Sequence, residues 1–580
     1  MSKYGLLLLI SIFIFSCETT TKKDTSDESS SEFEIAFERS GGDSTSTYEE
    51  VIKFYEFLSD KDDRISMEEV YETDSGKPLH LVKFTPKDLE ENSLKLLINN
   101  GIHPGESDGI DATMLLFKDL SNGDWSLPND VVLHAIPIYN IGGALNRNSH
   151  SRTNQSGPSE YGFRGNAKNY DLNRDFMKSD TKNSKAFYSI FHEVNPDVFV
   201  DTHVSNGADY QYTLTHLFTQ HNKLGGQLGK QLENQFIPEV ESQLKEKEWE
   251  ITPYVNVFNE SPTKGFTQFN DSPRYSSGYT TLWNTLGLMI ETHMLKPYPK
   301  RVEGTFEMLK TLVEVSHVQK SSIQKAREHN FQQFSKAKVY PLNFQVDSSS
   351  HSRFNFLGYE LESSTSEITK LPRIKFRKDK PYEKEVSYYN QFKATDSVSI
   401  PKAYIIPKQW SHVIELLKWN GIDYERFAKD TLVEIEEYRI VDFKTRSSAY
   451  EGHYLHSETK VSSKILEKQY SQGDVVVKVD QPGLRYIIET LEPVAVDSFF
   501  NWNFFDSILQ QKEGFSPYVF EDLALTIFEK NPELKAEFEE KQKKDAEFAR
   551  NWYAQLNWIH KHSKHYESAH LTYPIVRVLN

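Results

Sequence analysis

The sequence predicts an α/β domain joined to a mostly β C-terminal domain that ends in helices, and three observations carry that reading. Short apolar runs at 94–98, 131–139, 197–200 and 287–290 alternate with helical periodicity at 108–120 and 184–194. That alternation is the pattern of a sheet covered by helices. From about residue 338 alternating strands take over, at 354–362, 432–443, 474–479 and 484–489. Helical patterns at 518–529 and 532–559 close the chain, the second so charged that it reads as a solvated face. At 580 residues the chain is long enough for two cored domains.

The first segment is set apart by composition. Lys3, an apolar run at 6–15 and then Ser16 and Cys17 read as an export signal, too short to span a bilayer. Its end resembles a bacterial lipoprotein signal. That resemblance implies acylation at Cys17 and a lipid-anchored place in the cell envelope, in the periplasm or at the outer-membrane face. Cys17 is the one cysteine, so no disulfide framework accompanies export. Residues 18–32 are Thr, Ser, Lys, Asp and Glu without an apolar side chain, a flexible tether. A net charge of −17, from 67 basic and 84 acidic residues, disfavours a phosphate-tracking surface and so argues against nucleic acid as a partner.

The α/β domain spans 33–335. A helix is expected at 48–58, with neighbouring strands at 79–84 and 94–98. The Asn-Asn-Gly turn at 99–101 leads to a helix for which Asp108 is the candidate cap. A polar loop fills 146–171, and a helical stretch at 221–244 should be interrupted at Pro238. The C-terminal domain spans 338–580 and adds a helix at 409–419 closed by Gly421, then an aromatic cluster at 499–505.

Chemistry-bearing residues sit just after the strands of the α/β domain, where open α/β sheets bind ligands. His103 and Glu106 follow the first central strand, three positions apart, and can face one small cation. His203, at the end of VFVDTH, is the candidate third ligand. Glu291 ends LGLMI, where partial desolvation should raise its pKa toward a range useful for moving a proton.

Two motifs give this pattern a family. HPGE at 103–106 and RGNAKNYDLNRDF at 164–176 resemble the metal and substrate-anchoring motifs of the zinc carboxypeptidases of the carboxypeptidase A/B type, in their exported bacterial branch. The resemblance covers roughly 48–330 and implies a mixed-sheet zinc-carboxypeptidase-like catalytic domain. It implies one Zn2+ per chain on His103, Glu106 and His203, with Asp171 accepting a hydrogen bond from a zinc-bound histidine. It further implies that Arg164 polarises the scissile carbonyl, that Asn173 and Arg174 hold the substrate's terminal carboxylate, and that Glu291 is the general base and acid acting on a zinc-activated water. Arg147 and Arg152 share the anchoring loop with Arg164. The family's mobile tyrosine could be Tyr275 or Tyr279, between which the sequence does not choose.

The expected activity is removal of C-terminal residues from peptides. Two alternatives stand beside it: an amidase trimming cell-wall (murein) peptides, and a catalytically silent lipoprotein that captures peptide or glycan. His453, His456 and the tail group His560, His562 and His565 lack carboxylate or cysteine partners at a recognised spacing and are not expected to form a second metal site. His293, two positions past Glu291 and so on the same side of the strand, either supports the site from behind or packs in the core, the second being the expected reading.

Overall fold

The computed structural model describes residues 34–579, so the expected signal at 1–17, Cys17 and the tether at 18–32 lie outside the described residues. The α/β domain is built on strands β1 (Ile65–Glu72), β2 (Pro78–Phe84), β3 (Leu94–Asn99), β4 (Val131–Ile136), β5 (Val198–Ser205), β6 (Leu214–Phe218), β7 (Ile251–Pro253) and β9 (Leu286–His293). A two-residue strand, β8 (Phe266–Thr267), belongs to another sheet. The eight strands run in the order β1-β2-β4-β3-β5-β9-β6-β7. The central pairs β4–β3, β3–β5 and β5–β9 are parallel, while β1–β2, β2–β4 and β9–β6 are antiparallel. The sheet is therefore mixed. Its central strands are buried on both faces, which is why they read as continuous apolar runs rather than alternating ones.

Helices Asp108–Asn122 and Tyr298–Lys336 pack on each other and on β3, β5 and β9; Ser276–Thr281 lies against β5 and β9, and Lys182–Val194 against β1 and β2. The strands at 79–84 and 94–98 are not neighbours, because β4 is inserted between β2 and β3. Asp108 does not cap its helix. It forms a fully buried ion pair with Arg301 (Nε to Oδ2, 2.9 Å) and accepts from the Thr292 hydroxyl, tying this helix to the long helix and to β9. Pro238 does not interrupt the 221–244 stretch either: the chain breaks at Gly225, and a π-helical turn, Leu232–Phe236, carries it into the helix Ile237–Glu246.

The C-terminal part contributes an antiparallel pair, β10 (Val339–Val346) with β13 (Phe392–Ser399), and a long hairpin, β11 (Ser352–Thr365) with β12 (Pro372–Tyr389), to which β8 adds a third strand. A six-stranded sheet follows, from β14 (Ala403–Ile406), β15 (Glu425–Arg426), β16 (Thr431–Thr445), β17 (His456–Tyr470), β18 (Val475–Lys478) and β19 (Val576–Val578), in the order β15-β18-β14-β19-β16-β17. The run at 484–489 is helical, Leu484–Leu491, and buried on every side. A short apolar run of that kind cannot be told from a strand by periodicity. The helix expected at 532–559 is three helices, Pro532–Lys544, Ala546–Ala549 and Trp552–Lys561. Asp545 and Asn551 accept the amides of Phe548 and Ala554 and restart the chain each time. One apolar core runs from the α/β sheet into this region, where Trp283 stacks on Tyr486 with centroids 5.7 Å apart.

Asp111 offers a test of this core. Its carboxyl is fully buried and accepts from the Tyr298 hydroxyl; burial pushes its pKa up to about 7, against the hydrogen bonds of Tyr298, Thr45 and Ser46. A carboxyl whose pKa is higher in the folded state favours folding at low pH, and that contribution is lost as pH rises through 7. Asp111→Asn is expected to flatten the fall in stability between pH 5 and 8 by a few kcal/mol (about 1.4 for each tenfold change in proton affinity). Urea unfolding at both pH values measures it; an unchanged slope contradicts this account.

Candidate metal centre and active site

The site is assembled where β3, β5 and β9 end side by side. β3 stops at Asn99, and the chain turns through Gly101, whose φ of +67° is open to glycine at little cost. Gly109 lets the next helix begin directly against β5: a Cβ there would stand 1.9 Å from the Thr202 hydroxyl. That close approach brings Glu106 to His203. Thr202 donates to Asn100 (2.9 Å), and Asn99 to Asp201 (3.3 Å), so the strand ends are locked by buried polar pairs.

His103, Glu106 and His203 are all buried, and their nearest ligand atoms lie within 4.8 Å of one another. Glu106 Oε2 is 3.3 Å from His103 Nδ1 and 3.0 Å from His203 Nδ1, and it also accepts the Val204 amide at 3.0 Å. Each imidazole turns its other nitrogen to a carboxylate: His103 Nε2 to Asp171 (2.9 Å) and His203 Nε2 to Asp201 (3.0 Å). Asp201 is itself held by the Ser276 hydroxyl at 2.5 Å. Two Nδ1 atoms and one carboxylate oxygen converge, with the Nε2 atoms oriented from behind. This donor set, with its outer support, is one that could hold a divalent metal ion. His103 Nδ1 is buried without a hydrogen-bond partner, an orphan that a cation at the convergence point would satisfy. Among the described residues it is the one cluster of three or more His, Cys, Asp or Glu side chains close enough to share an ion.

The electrostatics suit a cation. Burial disfavours the charged form of His203, yet Asp201 and Glu106 on either side hold its pKa well above the ordinary range. Burial likewise opposes ionisation of Glu106, which His103 and Arg152 nevertheless keep well below the usual carboxylate range. Asp171, despite burial, is held low by His103, Arg164 and Arg174. Glu106 and Asp171 are thus held ionised by the positive groups around them.

A cavity of about 180 Å3 opens on these ligands and is lined also by Glu291, Arg164, Asn173 and Arg174. Glu291 pairs with His203 across the parallel β5–β9 ladder, so both leave the sheet at the same level. Its carboxyl opens onto the cavity but is otherwise enclosed by protein. Burial pushes its pKa up to about 7, helped by Glu106 and Asp201 and opposed by His203 and Arg164. Arg164 grips Asp171 through Nε (3.0 Å) and Nη2 (2.9 Å), 3.7 Å from Glu106. Arg174 lies 4.4 Å over the Tyr275 ring, and the Asn173 side chain accepts the Ser276 amide at 3.1 Å.

The other candidates separate cleanly. Arg147 is spent on the carbonyls of Thr45, Ser46 and Glu160, away from the cluster. Arg152 touches Glu106 at 3.0 Å, a contact its place in the loop did not announce. Tyr275 lines the cavity, whereas Tyr279 is fully buried among aromatic rings and donates to Asn420 (2.6 Å). Tyr254 and Phe269 complete the wall. Asp201, two positions before His203 on one strand, shares its face, and that spacing could have found it. His293 packs on Tyr210 and the Ala208 carbonyl in the core. A larger cleft, of about 480 Å3, follows the β6–β7 edge but gathers no comparable cluster, so chemistry rather than size locates the site.

No protein-family model matches the chain. It is similar to a protein named Carboxypeptidase 2 in Trichophyton rubrum, 20% identical over 425 residues that cover 70% of this chain and 73% of the relative. The protein of that name in Trichophyton equinum is 19% identical over 427 residues, with the same shares. Similar solved structures include a metallo-carboxypeptidase from Burkholderia cenocepacia (19% identity, 47% of this chain and 69% of that one, TM-score 0.36). Another is a metallo-carboxypeptidase from Pseudomonas aeruginosa in complex with (2-guanidinoethylmercapto)succinic acid (16%, 48% and 69%, TM-score 0.35). The name of the two Trichophyton relatives agrees with the resemblance carried by the motifs at 103–106 and 164–176.

Proposed function

We propose that this chain is a zinc-dependent metallocarboxypeptidase that hydrolyses C-terminal peptide bonds. The observation that carries the reading is the single cavity shared by a His-Glu-His cluster, a carboxyl with a raised pKa and a buried-side arginine with its asparagine neighbour. The similarity to proteins named carboxypeptidase supports it.

His103, Glu106 and His203 would hold the ion, with Asp171 and Asp201 fixing both ring orientations. A zinc ion supplies a Lewis acid and brings the pKa of water to about 7. Glu291, whose carboxyl opens on the same cavity as the ligands, receives a proton from the attacking water and delivers it to the departing amine. Arg164 offers a guanidinium edge toward the cavity, where negative charge develops on the scissile carbonyl oxygen. Arg174 and Asn173 take the terminal carboxylate, Arg174 with two parallel N–H donors that lysine lacks. Tyr275, over Arg174, is the tyrosine placed to close on the substrate.

The Cys17 signal supports an exported, lipid-anchored protein of the cell envelope whose substrates are peptides or muropeptides. No described helix is long and apolar enough to cross a membrane. Digestion of matched peptides with a free or an amidated C-terminus, beside muropeptides, tests the reading by product mass. Stepwise loss of single C-terminal residues from the free acids is expected, with the amides at least tenfold slower. Equal cleavage of acid and amide, or cleavage of muropeptides alone at an amide without a neighbouring carboxylate, would falsify it.

A further inference from the structure

The C-terminal region reaches into the site through the turn between β16 and β17. Tyr450 and His453 exchange backbone hydrogen bonds of 2.7 and 3.1 Å, leaving Glu451 and Gly452 at the tip with φ of +49° and +83°. This tip is pressed into the anchoring loop. Glu451 Oε2 accepts the backbone amide of Asp171 at 2.8 Å, the residue that orients His103. Gly452 meets the Tyr170 ring, where an added Cβ would stand at 3.0 Å. His453 Nε2 pairs with Asp180 at 2.8 Å, so the turn is clamped to the α/β domain on both flanks.

Tyr450 occupies the space between. Its ring stacks on Trp502, with centroids 6.2 Å apart and planes 23° off parallel, and Arg446 lies 4.9 Å over it. The same ring has the Arg274 guanidinium 5.8 Å from its centre, and the Tyr450 side chain is also a hydrogen-bond partner of Arg174. Arg274 is fixed in turn by Asp497 (Nε to Oδ1, 2.7 Å) and by the Trp502 ring at 5.1 Å. Arg174 thus has the Tyr275 ring, from the α/β domain, 4.4 Å away, and the Tyr450 side chain, from the far end of the chain, as a hydrogen-bond partner.

We infer that Tyr450 is a positioning residue for carboxylate recognition, so that the C-terminal region builds part of the substrate-anchoring wall through this turn. The inference rests on the carboxypeptidase reading. A guanidinium already fixed in place loses less freedom when a carboxylate arrives, and the gain is confined to ligands that carry one. An amidated peptide should not sense the change.

Binding to the zinc-loaded Glu291→Gln protein, whose turnover is expected to be at least a hundredfold slower, measures this by calorimetry within the time before substrate is consumed. The ligands are one peptide in free-acid and C-terminally amidated forms. The Glu291→Gln protein is expected to prefer the acid by at least tenfold. Adding Tyr450→Phe, which keeps the ring on Trp502, should weaken the acid on the order of tenfold and leave the amide within twofold. Tyr450→Ala should do the same, with zinc content unchanged at one per chain. Discrimination present in Glu291→Gln and intact in both double variants overturns the inference alone. Acid and amide bound equally by Glu291→Gln itself overturns the carboxypeptidase reading and the inference with it.

Discussion

Glu291→Gln is expected to keep its zinc and to lose turnover by about 10²–10⁴-fold, the usual contribution of a positioned proton-transfer group. The structure gives the reason for both halves. Glu291 leaves β9 level with His203 but is not among the three clustered donors, so an isosteric amide leaves the ion's cradle as it is. The carboxyl nonetheless shares the cavity with those donors, and burial pushes its pKa up to about 7. An amide cannot accept and return a proton. KM should move little, because substrate anchoring is assigned to Arg174 and Asn173 in the proposed function. Steady-state kinetics with metal analysis on one preparation decides the matter, and a rate equal to that of the unchanged protein would contradict the assigned role.

His103→Ala is expected to do more. It removes one of three donors and leaves Asp171 without the imidazole it orients, at 2.9 Å. Zinc per chain should fall from one toward zero after dialysis against a weak chelator, and hydrolysis should become undetectable. The folded protein should also be less stable, because Glu106 and Asp171 lose the group that most strongly favours their ionised forms while staying buried. Asp171→Asn makes the informative contrast: the donors remain, so zinc should bind about 10–100-fold more weakly rather than vanish. Full zinc occupancy in His103→Ala would place the ion elsewhere.

The site was legible because its chemistry is written in local spacing. HPGE puts two donors on one loop, and the strand-end positions of His203 and Glu291 follow from apolar runs that stop in polar residues. Sheet order was less legible. Nothing local says that β4 enters between β2 and β3, since insertion of a later strand depends on the packing of the helix Asp108–Asn122 in the crossover. Leu484–Leu491 reads as a strand because eight mostly apolar residues buried on all sides lose the periodicity that separates the two structures. Asp545 and Asn551, by contrast, are recognisable as caps, and reading them would have divided the last long helix. Arg152 against Glu106 and Tyr450 against Arg174 belong to another class. Each is a contact between distant segments whose geometry is set by tertiary packing, and neither carries a local signal.

Crystals of the protein grown with zinc, with diffraction recorded on both sides of the zinc absorption edge, test the central claim most directly. One anomalous peak is predicted about 2.0–2.2 Å from Nδ1 of His103, Nδ1 of His203 and a Glu106 oxygen, within reach of Glu291 across the cavity. A stoichiometric peak at any other set of side chains, or coordination through Nε2 with Asp171 and Asp201 displaced, would contradict it.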